Sequence, residues 1–202
     1  MEVNSPGKKK ASEAMYKTCH TEESSRRQRE LEQGLLEALE SQSYQKITLT
    51  DLCRRLNVPR KSFYRYFPTK DDCLLSLIDH ALSDCNDIAL GGWNGGAGLD
   101  RQALLRFFTF WKDQKKLLDV IGNNGLWYLL LERTSVMIDR MKEHGESRGF
   151  ARDQVEYFIA HGLMTTVLRW HACGFCGSPK EMAEVFGGVL GSADVSLDRL
   201  LL

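Results

Sequence analysis

Residues 48–70 read Thr-Leu-Thr-Asp-Leu-Cys-Arg-Arg-Leu-Asn-Val-Pro-Arg-Lys-Ser-Phe-Tyr-Arg-Tyr-Phe-Pro-Thr-Lys. Their order of caps, turns and charges decides the fold. Thr48 stands where a hydroxyl can cap the open N–H groups of a helix, and Asp51 suits the positive end of that helix. Leu49, Leu52, Cys53 and Leu56 give it one apolar side. Asn57 fits a left-handed turn, which Asn tolerates better than other residues with a side chain. Pro59 fits the first turn of a second helix, where a missing N–H costs nothing. That helix is expected over about Pro59–Tyr66, with Phe63 and Phe67 turned to the core. Pro68 closes the unit, and Thr69 caps a long following helix. Helix, tight turn and short basic helix form a pattern that can put one helix in a DNA major groove while its partner braces on the backbone.

Working outward, net charge is zero, with 27 basic and 27 acidic residues, but the charge is unevenly spread. Residues 44–70 carry seven basic side chains against Asp51 alone, while residues 80–202 carry 13 basic and 15 acidic. Positive charge therefore gathers where a phosphate backbone would be met. Hydrophobic residues make up 43%, ordinary for a globular protein. The apolar run Leu126–Leu131 is far too short to span a bilayer, and Lys8, Lys9 and Lys10 have no apolar run behind them. A cytoplasmic protein with no membrane partner is the expectation. Cysteines at 19, 53, 73, 85, 173 and 176 do not suggest a disulfide scaffold in a chain of this length.

Residues 1–24 are polar and aperiodic, and are expected to form a disordered arm. Leu31, Leu35, Ala38 and Leu39 then make one helical face. Leu74, Leu77, Ile78, Ala81, Leu82 and Cys85 repeat the spacing after Thr69. Residues 91–98, with five glycines in eight positions, read as a connector, because a phosphate-cradling loop would need a preceding strand and a Lys. Helical stripes follow at 104–111, 125–143, 152–172 and after Pro179. No alternating strand pattern stands out, so the fold class is all-α. The division expected is 1–24 arm, 25–70 helix-turn-helix DNA-binding domain and 71–202 helical ligand-binding and dimerisation domain.

The stretch from about Arg27 to Leu77 resembles the DNA-binding domain of the tetracycline-repressor (TetR) family. The likeness rests on Ile47 to Cys53, on Asn57-Val58-Pro59, and above all on Tyr64-Arg65-Tyr66-Phe67-Pro68-Thr69-Lys70 before a leucine-rich helix. Positions 53, 57 and 59 depart from the family's usual Ala, Gly and Ser or Thr; these lie in packing and turn. Residues Val167 to Gly174 and Ser178 to Ala183 look like the family's last two helices and their loop. The resemblance implies a homodimeric transcription factor, usually a repressor, not an enzyme, whose C-terminal half binds a small molecule and forms the dimer.

Candidate DNA contacts are Thr48, Thr50, Arg60, Lys61, Ser62, Tyr64, Arg65 and Lys70. Arg60 can hold guanine O6 and N7 together, and Thr48, Thr50 and Lys70 lie at helix starts that suit phosphate. A two-fold pairing surface is expected from Val155, Ile159, Gly162, Leu163, Thr166, Trp170, Met182, Phe186 and Val189. An apolar or aromatic effector is expected among Phe107, Phe108, Trp111, Trp127, Tyr128, Met137 and Phe158. Cys173 and Cys176, with His171 and His161 near in sequence, leave open a redox- or metal-responsive regulator, or a small thiol oxidoreductase. The oxidoreductase would need a βαβ setting that is lacking, and a structural zinc would need two more ligands. No metal and no cofactor is expected.

Overall fold

The computed structural model describes Tyr16, Cys19 and residues 21–89, 91, 100–143 and 150–192. Among the described residues there are helices and no strand. In chain order they are α1 Glu22–Ser41, α2 Leu49–Arg55, α3 Arg60–Tyr64, α4 Lys70–Asp84, α5 Arg101–Asp113, α6 Lys115–Asn123, α7 Trp127–Glu143, α8 Phe150–Ala172 and α9 Pro179–Ser192. The glycine-rich stretch at 92–99 and most of the N-terminal arm lie outside the described residues.

Helix α1 starts earlier than expected because Thr21 caps it, accepting from the Ser24 amide, with Glu22 and Glu23 in the first turn. Tyr16 and Cys19 are not loose either; both pack against the core. Leu31, Leu35, Ala38 and Leu39 are buried as their spacing predicted, against α4, α2 and α6. Close approach to α2 requires Gly34: a Cβ there would lie 2.0 Å from Leu56 Cδ2. Helix α4 opens on a capping box in which Thr69 and Asp72 satisfy each other's backbone N–H. It runs on into a wider π-turn at Cys85–Ala89. Helix α9 lies along α5, and α8 along α7.

Polar groups join α1, α4 and α7 inside this apolar frame. Glu32 is 1% exposed and accepts from Ser76 Oγ at 2.6 Å, with His80 Nδ1 at 2.8 Å from its second oxygen. Gln28 Nε2 donates to the same Ser76 hydroxyl. One turn away, Arg133 of α7 makes a two-pronged bond to Asp79 of α4, Nε to Oδ1 at 2.5 Å and Nη2 to Oδ2. Tyr16 donates to Asp79 as well, and Arg140 stands 3.3 Å from it. Burial would lower the Arg133 guanidinium, but Asp79 outweighs it and leaves it above its ordinary value. Burial and the neighbouring carboxylate push the Tyr16 phenol up to about 12.

The side chains of Arg133 and Asp79 are 1% and 11% exposed. Removing one partner would strand a buried charge, which costs about 3–5 kcal/mol. Asp79→Ala is therefore expected to lower unfolding free energy by about that much in urea denaturation. Asp79→Leu with Arg133→Met should cost less than either change alone. Equal or greater loss in the double variant would show that the ion pair is not the source of the cost.

Candidate nucleic-acid interface

The reading unit is built from caps outward. The Thr48 hydroxyl accepts from the Asp51 amide at 3.1 Å and donates to Asp51 Oδ2 at 2.6 Å, which starts α2. Asn57 takes φ +50° at the turn, and the Val58 amide returns to the Cys53 carbonyl at 3.0 Å. Val58 is buried and pins the turn to the core. Pro59 sits one position earlier than expected. With ψ 141° it is the residue before α3, and its carbonyl takes the Ser62 amide at 2.8 Å. Helix α3 is correspondingly short, and Tyr66 and Phe67 fold back through bonds to the Phe63 carbonyl.

Phe63 and Phe67 are fully buried with ring centroids 5.5 Å apart, and anchor the short helix. Arg60, Lys61, Tyr64 and Arg65 stay exposed and Ser62 is half-buried, while Thr48 and Thr50 are exposed at the start of α2. Arg60 and Tyr64 act as one unit: Nη2 donates to the phenol oxygen at 2.9 Å and the guanidinium lies 5.7 Å from the ring centre. That bond holds the Arg60 guanidinium above its ordinary value.

The basic residues of 44–70 divide by their partners. Arg54 is paired with Asp51 at 3.0 Å, and Arg55 donates to Ser41 Oγ. Lys46, Lys61 and Arg65 have no ion pair among the described residues. Lys70 departs from its expected phosphate role. Its Nζ donates to the Tyr44 and Ile47 carbonyls at 2.7 and 2.8 Å and lies 4.2 Å from the Tyr44 ring centre. It ties the α1–α2 loop to the start of α4.

Sequence reasoning passed over the start of α1. Thr21, Glu23, Ser24, Arg26, Arg27 and Glu30 line a polar cleft of about 460 Å³ together with Ser62, Arg65 and Tyr66. Arg26 and Arg27 share Glu30. The run Ser25-Arg26-Arg27 was the available signal, but its distance in sequence hid its place beside α3.

The residues expected to hold an effector fall in different places among the described residues. Phe107, Phe108 and Trp111 are body core, packed with Trp170 and Phe186. Trp127 meets His171 edge-on at 5.6 Å. Tyr128 lines a cleft of about 260 Å³ between α4 and α7, with Tyr44, Asp71, Leu74, Leu75, Leu129 and Glu132. Met137 lines a separate cleft of about 290 Å³ with Asp79, Ser83, Arg140 and Met141. Phe158 is 77% exposed on α8.

The expected pairing surface also divides. Leu163 and Trp170 are buried within the chain itself, and the Trp170 indole donates to the Cys176 carbonyl at 3.0 Å. Ile159, Met182 and Phe186 are part-buried against the same core. Val155 and Thr166 are half-buried; Gly162 and Val189 are exposed. With Phe158 and Val185 they put apolar surface on the outside of α8 and α9.

Cys173 and Cys176 are joined by a disulfide. No group of three or more metal-ligating side chains occurs among the described residues. His171 is held by Asp119 at 2.8 Å and His161 by Ser135 at 2.9 Å. No helix among the described residues is long and apolar enough to cross a membrane.

Residues 34–77 match the family described as bacterial regulatory proteins, tetR family. Among solved structures, the chain is similar to the fatty acid degradation regulator FadR from Bacillus halodurans. The TM-score is 0.53 at 16% identity, over 81% of this chain and 94% of that one. Nothing among curated proteins matches the chain.

Replacing Lys70 separates its two roles. Charged hydrogen bonds of this kind contribute about 1.5–3 kcal/mol. Lys70→Ala is expected to lower the melting temperature of the DNA-free protein, whereas Arg60→Ala leaves it in place. A Lys70→Ala protein as stable as the parent but weaker on DNA would return Lys70 to the phosphate-binding set.

Proposed function

We propose that the chain is a DNA-binding transcription regulator, a homodimeric repressor released from its operator by a small apolar or aromatic molecule; the match of residues 34–77 to the tetR family supports the DNA-binding part of this reading. The observation that carries the reading is α3 itself. A five-residue helix bolted to the core by Phe63 presents Arg60, Lys61, Tyr64 and Arg65 outward. Arg60 with its Tyr64 partner is suited to a base edge, and Lys61 and Arg65 to base or phosphate. Arg26, Arg27 and Thr21 at the start of α1 extend the phosphate footing along the polar cleft. Thr48 and Thr50 serve the same end at α2.

One such helix reads only a few base pairs, so two copies are needed, about 34–36 Å apart along the duplex. Phe158, Gly162, Val185 and Val189 supply apolar surface for the pairing, and two helices from each copy would form a four-helix bundle. The effector reading moves from the core aromatics to the α4–α7 cleft around Tyr128. This cleft touches Tyr44 and Asp71 on one side and α7 on the other, so an occupant bears on the seam between reading unit and body. Its size, about 260 Å³, suits a single ring or a short chain. FadR is by its name a regulator of fatty acid degradation, which places acyl compounds in the apolar panel to be tried. Release follows if the ligand prefers a state whose two heads are wrongly spaced.

Selection of bound genomic fragments, then footprinting, should yield two half-sites related by a dyad. On that operator, Arg60→Ala is expected to weaken binding roughly tenfold to a hundredfold and relax preference at one position. Lys61→Ala should weaken all sequences alike and reduce the salt slope by about 1. A single undivided footprint would count against the dimer.

Titration of aromatic and acyl compounds into the protein–operator complex tests release. Affinity untouched across the panel would argue for a regulator without an effector of this class. If a compound acts, Leu75→Trp, at a half-buried position lining the cleft, should blunt its effect while leaving operator binding in its absence.

A further inference from the structure

The α8–α9 turn carries chemistry that DNA reading does not use. Four of the six cysteines are shielded. Cys53, Cys73 and Cys85 are buried, and burial pushes their thiols up, Cys85 to about 12. Cys19 is half-buried with its thiol against Gln28 Oε1 at 2.9 Å. The three buried thiols react slowly, because the thiolate is the nucleophile. Cys173 and Cys176 are both exposed and are bonded to each other.

The turn between them has an unusual backbone. Gly174, Phe175 and Gly177 have φ of +72°, +60° and +85°. Phe175 is the notable one, since a bulky residue rarely enters that region. It is held there from the inside. Its amide donates to the Trp170 carbonyl at 2.8 Å, and its ring meets Trp170 at 4.8 Å and His171 at 5.4 Å. Trp170 is itself buried against Phe108. The sulfurs close the same turn from the outside. At its far end Ser178 and Glu181 cap α9, the Ser178 amide and hydroxyl both donating to Glu181 Oε2.

We propose that Cys173 and Cys176 are a reversible thiol–disulfide modification site, oxidised by hydroperoxides, whose closure fixes the α8–α9 turn and so favours pairing with a second copy of the chain. In oxidation, one thiolate attacks a peroxide oxygen. An S–O bond forms, the O–O bond breaks and an alcohol or water leaves. The second thiol then attacks that sulfur, the S–S bond forms and water departs. Two electrons pass from the sulfurs to the peroxide oxygens. A dithiol reverses the change through a mixed disulfide, giving up two electrons and two protons to the pair. Closure restricts the turn that joins the two helices bearing Phe158, Val185 and Val189, so less ordering remains to be lost on pairing. The effect on pairing rests on the dimer reading above; the sulfur chemistry does not.

The test uses the full chain, treated with hydrogen peroxide or with a dithiol, then alkylated and mapped by mass. After the dithiol both cysteines should be alkylated. After peroxide they should be protected, in one peptide lighter by two hydrogens, and a second reduction should restore alkylation. Sedimentation equilibrium should give a dimer dissociation constant roughly tenfold lower for the oxidised protein. Cys173→Ser with Cys176→Ser should show the reduced value under both conditions. Both cysteines still open to alkylation after peroxide would overturn the modification site. A disulfide that forms and reverses with no change in the dissociation constant would overturn its effect on pairing. A protein monomeric in both states would sink the dimer reading and that effect with it, while the alkylation result would still decide the chemistry.

Discussion

A single turn of α4, from Ser76 to His80, holds the polar contacts on which the arrangement of the chain depends. Ser76 and His80 meet the buried Glu32 of α1, and Asp79 meets the buried Arg133 of α7. Apolar packing would hold these helices together in several rotations about their axes. Charged groups out of water do not allow that freedom, because each misplaced partner leaves an unsatisfied charge. The contacts therefore set how α1, and the reading unit built on it, stands relative to the body.

Helix α4 is shared: its first residue clamps the α1–α2 loop through two carbonyls, and its middle is bonded to α7. At the start of α4 Asp71 takes a hydrogen bond from the Tyr44 hydroxyl, so the loop is tied to this helix by a side chain as well. Burial and the Asp71 carboxylate hold the Tyr44 phenol above its ordinary range, so it remains a donor at any working pH.

Much of the reading unit was legible in the sequence because its determinants are local. Thr48 and Thr69 cap helices that begin at the next residue, and Phe63 and Phe67 turn inward at helical spacing. What was not legible depended on distant partners. Lys70 looks like a surface cation, and its acceptors are backbone carbonyls 23 and 26 residues upstream, which no side-chain pattern announces. Glu32 looks like a solvated charge on an amphipathic helix and is instead buried. Helix α8 is apolar on several sides at once, so spacing could not tell which residues face the body. Trp170 turned inward and Phe158 outward, each against its expected role.

The diversion of Lys70 into bonds to two backbone carbonyls bears on how much of the charge in 44–70 is left to face a polyanion. A cation held by its own backbone displaces few counterions, so the salt dependence of attachment is expected to count fewer than the seven positive charges of that segment.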